Sequence, residues 1–220
     1  MDKTFTASQL KKLRNTFEPE KISITPEGKL AYLNNSASPT EAPSALTWTE
    51  AQAISRAKEY LDILGLLPQD DYLIKTSTVV REELDVFNET AGPAETVSWT
   101  IRFYQTYNGV PVVSKDDNGI IMTISENGLH SLQYNWKTIV PVAQSMTMNS
   151  VKTLSENEAI EKYCNKVNLK NWDINSNISY RQVYLYQDNE VIPAWVFGTE
   201  DAFFEPVYIN AITGEKLLEI

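Results

Sequence analysis

One cysteine and one histidine are all that this chain of 220 residues carries of either type. A lone Cys164 excludes an intrachain disulfide, and neither residue has companions at metal-ligand spacing, which argues against a closed zinc site. His130 and Cys164 are therefore the sole conceivable thiol–imidazole pair, in which the histidine would have to generate the thiolate. Scarce cysteine suits the cytosol and equally an exported Gram-positive protein. Basic residues are also few: 19 Lys and Arg face 29 Asp and Glu, for a net charge of −10 and a pI near 4.7. No basic patch with interleaved aromatics is present, so nucleic acid and anionic membrane are disfavoured as direct partners, and solubility is the plain reading of the acidity. No run is long and apolar enough to span a bilayer, and the N-terminus has no signal-peptide apolar segment. Met1-Asp2-Lys3 suits a natural start or a chain from which a targeting segment has been cut away. Also missing are a Gly-x-Ser-x-Gly elbow, a His-Glu-x-x-His helix and a phosphate-cradling glycine loop.

What is present points to sheets. A hydrophobic fraction of 42% is enough for a packed core and excludes wholesale disorder. The length suits one large domain or two of about a hundred residues. Five Trp and eleven Tyr fit pleated surfaces, which large flat side chains cover well. Residues 97–113 organise the rest. Val97, Trp99, Ile101 and Phe103 fall on one side of an extended chain, with Ser98, Thr100, Arg102 and Tyr104 on the other, the period of a strand with one buried face. Asn108-Gly109 supplies a hairpin turn, and Val110 to Val113 resumes an extended path whose Pro111 places it at an edge or at a strand start.

Taken in order, residues 1–45 form an N-terminal segment with a short helix between Phe5 and Phe17 and strands at 22–24 and 29–33. Residues 34–43 read as a loop. Thr47-x-x-Glu50 is a capping box opening a helix that carries Ala53, Ile54, Ala57, Leu61 and Leu64 and ends at Gly65. Residues 72–87 are expected to be mostly strand. After the central strand, Asp116-Asp117-Asn118-Gly119 makes a turn, and strands follow at 120–125 and 129–140. Residues 141–152 read as a linker. Ser155-x-x-Glu158 then opens a second helix, with Ala159, Ile160, Tyr163 and Val167 as its stripe. Strands at 178–187, 191–197 and 207–211 and a short one at 216–220 complete the chain. Matching caps and matching strand tryptophans, Trp99 and Trp195, predict an internal repeat. The expected fold is α+β: two tandem units, 46–145 and 146–220, each a helix packed on an antiparallel sheet.

The same residues carry a resemblance. Ser155 to Ala159, the Pro-Ala-Trp-Val of residues 193–196, and Tyr208 to Leu217 resemble a PepSY-type domain. Phe103 to Val112, Phe-Tyr-Gln-Thr-Tyr-Asn-Gly-Val-Pro-Val, is similar to the signature strand in propeptides of thermolysin-like and fungalysin proteases. Two such units in series resemble the extracytoplasmic parts of YycI-like regulators of a Gram-positive cell-wall sensor kinase. The resemblance covers roughly residues 46–220 and rests on short motifs. It implies a helix-on-sheet module placed outside the cytoplasmic membrane, joined to it only through a tether absent from this sequence, and regulation by contact with a membrane kinase or a protease. No cofactor or metal is implied. Two departures from that pattern are read within this sequence: it includes no protease domain after these units and no anchor before them, so the expected tether is either cut away or absent in nature.

Candidate chemistry is thin. Cys164 mid-helix and His130 on a strand have ordinary structural roles open to them. Asp116 and Asp117 lack the alternating ligands of a calcium loop. Glu82 and Glu83, as strand neighbours, point to opposite faces. Distant carboxylates still leave open a hydrolase of cell-wall or polysaccharide substrates. A ligand-binding envelope lipoprotein is a third reading, and Tyr104, Tyr107, Tyr180, Tyr184 and Tyr186 would make its aromatic platform. The leading expectation is a non-enzymatic binding protein that meets its partner through Thr100, Arg102, Tyr104 and Tyr107.

Overall fold

The computed structural model of the chain describes residues 5–34, 45–81, 84–85, 90–114, 118–137, 139, 152–166, 179–187, 190–198 and 206–217. The architecture is mixed α+β and mostly strand. Two compact units arise, Met1–Tyr104 with Asn118–Thr138, and Gln105–Asp117 with Ile139–Ile220.

In the first unit, helix α1 (Ala7–Thr16) is opened by Thr6 and Gln9, whose side chains reciprocally satisfy each other's backbone N–H groups. Leu13 and Phe17 carry its buried side, and the chain leaves the helix before Pro19. Strands β1 (Ile22–Ile24) and β2 (Leu30–Leu33) form a hairpin. Helix α2 (Glu50–Leu64) buries Ala53, Ala57, Leu61 and Leu64, and Gly65 caps its end. Its start corrects the expected Thr47/Glu50 box: the pair in place is Thr49 and Gln52. Two overlapping patterns compete here. The second wins because Trp48 then packs against the core under the Arg56 guanidinium, 4.3 Å from its ring centroid. Glu50 is released to accept the Thr76 hydroxyl at 2.6 Å.

Strand β3 (Tyr72–Arg81) is followed by the two-residue strands β4 (Leu84–Asp85) and β5 (Thr90–Ala91), so the expected single strand over 72–87 is shorter and ends in a hairpin. Glu82 and Glu83 lie outside the described residues. Strand β6 (Glu95–Tyr107) pairs with β3 and with β8 (Gly119–Ser125), and β8 with β9 (Gly128–Asn135), which pairs in turn with β2. Gly119 has φ 129°, and a Cβ there would meet the Phe103 carbonyl oxygen at 2.5 Å, so only glycine lets β8 lie this close. Of the expected turn 116–119, Asp116 and Asp117 lie outside the described residues. Strand β9 stops at Asn135, short of the expected Val140, because Trp136 turns into the core with its Nε1 donating to Asp70 at 3.3 Å. The core joins α1, β1 and β2 to α2, β6, β8 and β9: Leu13, Leu30, Leu61, Ile101, Phe103, Ile120, Met122 and Leu132 share one cluster. The described part of this N-terminal segment thus joins the first core through Leu13, Phe17, Leu30 and Tyr32.

In the second unit, residues 106 and 107 of β6 turn through Asn108 and Gly109, both at positive φ (50° and 76°), into β7 (Val110–Ser114). That geometry is the hairpin turn the Asn-Gly pair predicts. Helix α3 (Glu156–Lys166) starts at the expected cap: Glu158 accepts from the Ser155 N–H and hydroxyl, both at 2.7 Å. Its pKa is lowered chiefly by the Ser155 side-chain hydrogen bond, then by the Ser155 backbone. Strands β10 (Ser179–Gln187), β11 (Glu190–Gly198) and β12 (Val207–Asn210) are antiparallel neighbours. Strand β7 pairs in parallel with β10, Val112 opposite Tyr184, which corrects the wholly antiparallel expectation. Pro111 sits one residue before that ladder, where its missing N–H costs nothing. Ala159 of α3 packs with Trp195, Phe197, Ile209 and Ala211, and Tyr163 stacks on Phe197 at 4.5 Å. A second cluster, Val183, Leu185, Ala194 and Tyr208, uses the alternate residues of the same strands.

Candidate functional site

Strand β6 divides the first unit by parity. Val97, Ile101 and Phe103 are buried, and Trp99 is half-buried against the same core. Trp99 and Trp195 differ in one respect. The Trp195 Nε1 donates to the Leu154 carbonyl at 3.2 Å, whereas the buried Trp99 Nε1 has no hydrogen-bond partner among the described residues.

The alternate residues look the other way. Cross-strand pairing extends them into two rungs. Thr100 faces Thr123, which faces Ser131, which faces Leu33; Arg102 faces Ile121, then Gln133, then Ala31. Adjacent strands lie ~4.8 Å apart, so each rung crosses about 15 Å of sheet. Arg102, Gln133 and Ala31 are exposed and Leu33 is 56% exposed, while Thr100, Ile121, Thr123 and Ser131 are half-buried. Tyr104 continues the face. The Lys75 ammonium stands 5.9 Å from the Tyr104 ring centroid, in cation–π range, which puts Lys75 of β3 on this side too. Opposite it on β3, Tyr72 and Ile74 pack on the core and Thr76 bonds to α2.

The charge on this face is one-sided. Strands β1, β2, β3, β6, β8 and β9 carry a single acid, Glu95, held by Arg81 at 2.9 Å. Strands are poor in acids generally, but here the cations Lys75 and Arg102 remain. Neither has a carboxylate partner among the described residues.

Of the sequence-selected residues, Thr100, Arg102 and Tyr104 come together on this face. Tyr107 does not join them. It belongs to the second unit, where its ring meets Tyr184 edge-on at 5.3 Å. The tyrosine platform is likewise dispersed: Tyr184 is buried, and Tyr180 packs beside Trp195 and Phe197 with its hydroxyl donating to Glu156 at 2.6 Å. That bond to Glu156 raises the Tyr180 pKa. Lys75 was missed, since nothing in the sequence says that β3 pairs with β6.

The remaining candidates have structural surroundings. The β8–β9 ladder shifts between Thr123 and Ile124, leaving His130 as the extra residue of a bulge. Its Nε2 lies 2.5 Å from the Ser125 hydroxyl oxygen, which also accepts the Asn127 N–H, and its carbonyl accepts the Asn34 N–H. Cys164 is a half-buried residue of α3, next to Tyr163. Among carboxylates, Glu50, Asp70, Glu95, Glu156 and Glu158 each hold a hydroxyl, indole, guanidinium or cap. Among the described residues no cluster of His, Cys, Asp and Glu could hold a metal ion, and no helix is long and apolar enough to cross a membrane.

No protein-family model matches the chain, and no curated protein is similar to it. A solved structure of an uncharacterized protein from Eubacterium rectale ATCC 33656 is similar at 13% identity, with a TM-score of 0.48 over 96% of this chain and 80% of that one.

Proposed function

We propose that this chain is a non-enzymatic binding protein that docks a partner protein on the outer face of its first sheet, through Thr100, Arg102 and Tyr104. The division of β6 carries this reading. One parity is core under α2, while the other, beyond the buried Ser98, presents an exposed arginine beside a half-buried tyrosine, a composition that binding hot spots favour. In the finer reading each unit is a PepSY-like module, and the chain acts outside the cytoplasmic membrane as a regulator of a sensor kinase or a protease. Supporting that reading are the motifs Ser155–Ala159, Phe103–Val112 and Tyr208–Leu217, the packing of α2 in the first unit's core, and the packing of α3 on Trp195 and Phe197. The test is a photo-crosslinking amino acid placed at position 100 or 102, with exposed Lys11 of α1 as control position, in the native host. A discrete crosslinked protein from 100 and 102 and none from 11 is expected. Equal products from all three positions, or none, would refute the docking face.

A further inference from the structure

We infer that the segment this face takes is acidic: a stretch of protein whose carboxylates meet Arg102 and the Lys75 that stands over the Tyr104 ring. The inference rests on the docking reading above and adds the chemistry of the partner.

Three observations carry it. First, the chain has ten negative charges in excess, yet strands β1, β2, β3, β6, β8 and β9 hold one acid, and that acid is held by Arg81. Second, Arg102 is exposed and lacks a carboxylate partner among the described residues, as does Lys75, in a chain where acids outnumber bases. A guanidinium can take a carboxylate in a two-bond fork, a demand that no described side chain meets at Arg102. Third, the neighbours leave the two cations unopposed: Tyr104 stands beside Lys75, and across β8 and β9 the residues paired with Thr100 and Arg102, namely Thr123, Ile121, Ser131 and Gln133, carry no charge. Complementary charge then sets orientation and speeds encounter, while the net negative charge elsewhere on the molecule repels the same segment.

The experiment titrates the full chain, isotope-labelled, with three 12-residue peptides of the same spacing: one alternating Glu and Ser, one with Gln for Glu, and one with Lys for Glu. Amide shifts are followed by NMR. Melting temperatures verify the fold of Lys75→Glu, Arg102→Glu, the double variant and the control Lys11→Glu. The Glu peptide is expected to shift amides at Thr100–Tyr104, Ile121 and Thr123 and to bind more weakly as salt rises. The double variant should lose about tenfold in affinity, the sum of two exposed charge pairs, while Lys11→Glu is unchanged. Equal binding of the Gln peptide at the same amides would overturn the charge selectivity and leave the docking face standing. Shifts elsewhere, or an undiminished double variant, would overturn the inference. Silence with all three peptides also overturns it, and the crosslinking experiment then decides whether the docking reading falls with it. If sedimentation shows the free chain to be a dimer that Arg102→Glu dissolves, the occupant is a second copy, and the acidic segment is again overturned.

Discussion

Gly119 and Gly109 are two glycines at positive φ, and replacing each with alanine separates conformational strain from steric overlap. At Gly109, with φ 76°, an added Cβ meets nothing within 4 Å. Gly109→Ala therefore bears only the left-handed penalty of about 1–2 kcal/mol, reduced by the lower entropy of the unfolded chain to a net ~1 kcal/mol. Gly119 has φ 129° and an added Cβ would sit 2.5 Å from the Phe103 carbonyl oxygen, which belongs to the β6 backbone. A flexible side chain could swing aside, but a ladder carbonyl cannot. The Phe103–Ile120 pair lies directly beside it, and both residues are buried. Strain of about 1–3 kcal/mol, a lost ladder hydrogen bond of about 1 kcal/mol and loosened packing at Ile120 bring the expected cost to roughly 3–5 kcal/mol. Two compact units need not unfold together, so urea unfolding by circular dichroism is best paired with amide exchange on β8. Gly119→Ala should collapse protection of β8 amides, while Gly109→Ala leaves them protected. Equal destabilisation by the two variants would show that β8 does not approach β6 this closely.

The two strand tryptophans should part company on mutation to phenylalanine. Trp195→Phe loses the bond to Leu154 and should cost about 1–2 kcal/mol in urea unfolding, whereas Trp99→Phe removes an unpartnered buried N–H and should be near neutral; the reverse order would contradict the pairing. The lowered pKa of Glu158 gives a signed pH effect. Its folded value lies below its unfolded one, so the cap contributes fully above the ordinary glutamate range and is lost as pH falls through the folded value. Glu158→Gln keeps the cap, as Gln9 and Gln52 do in the other helices, without the charge. Wild type should melt above this variant at pH 7, with the gap closing toward pH 3; a constant gap would show that the carboxylate is not coupled to folding.

What the sequence made legible was local. The Asn108-Gly109 turn, the Ser155 cap and the parity of β6 each depend on a few adjacent residues, and the parity alone grouped Thr100, Arg102 and Tyr104. Selection failed where two local solutions overlapped, as with Thr47/Glu50 and Thr49/Gln52, where tertiary packing of Trp48 decides. It failed again where pairing spans long separations. Val112 meets Tyr184 in parallel, and Leu13 and Leu30 of the N-terminal segment enter the core of α2, neither of which has a short-range signature. The bulge at His130 breaks the period of two without a glycine to announce it. Tyr107 broke that rule, since by alternation it shares the parity of Ile101 and Phe103 rather than that of Arg102 and Tyr104.

The central claim is that β6 separates core from recognition surface residue by residue, and an alanine series along it tests this most directly. Thermal and urea unfolding of Thr100→Ala, Ile101→Ala, Arg102→Ala and Phe103→Ala should alternate. Ile101→Ala and Phe103→Ala, at 0% and 1% exposure, should lose about 2–5 and 3–5 kcal/mol. Thr100→Ala and Arg102→Ala should stay within about 0.5–1 kcal/mol of wild type, as surface changes do. In the same preparations, crosslinking from a photoreactive residue at position 123, the cross-strand partner of Thr100, should weaken for Arg102→Ala. If Arg102→Ala unfolds the protein as readily as Phe103→Ala, both faces of β6 are core and the binding surface lies elsewhere.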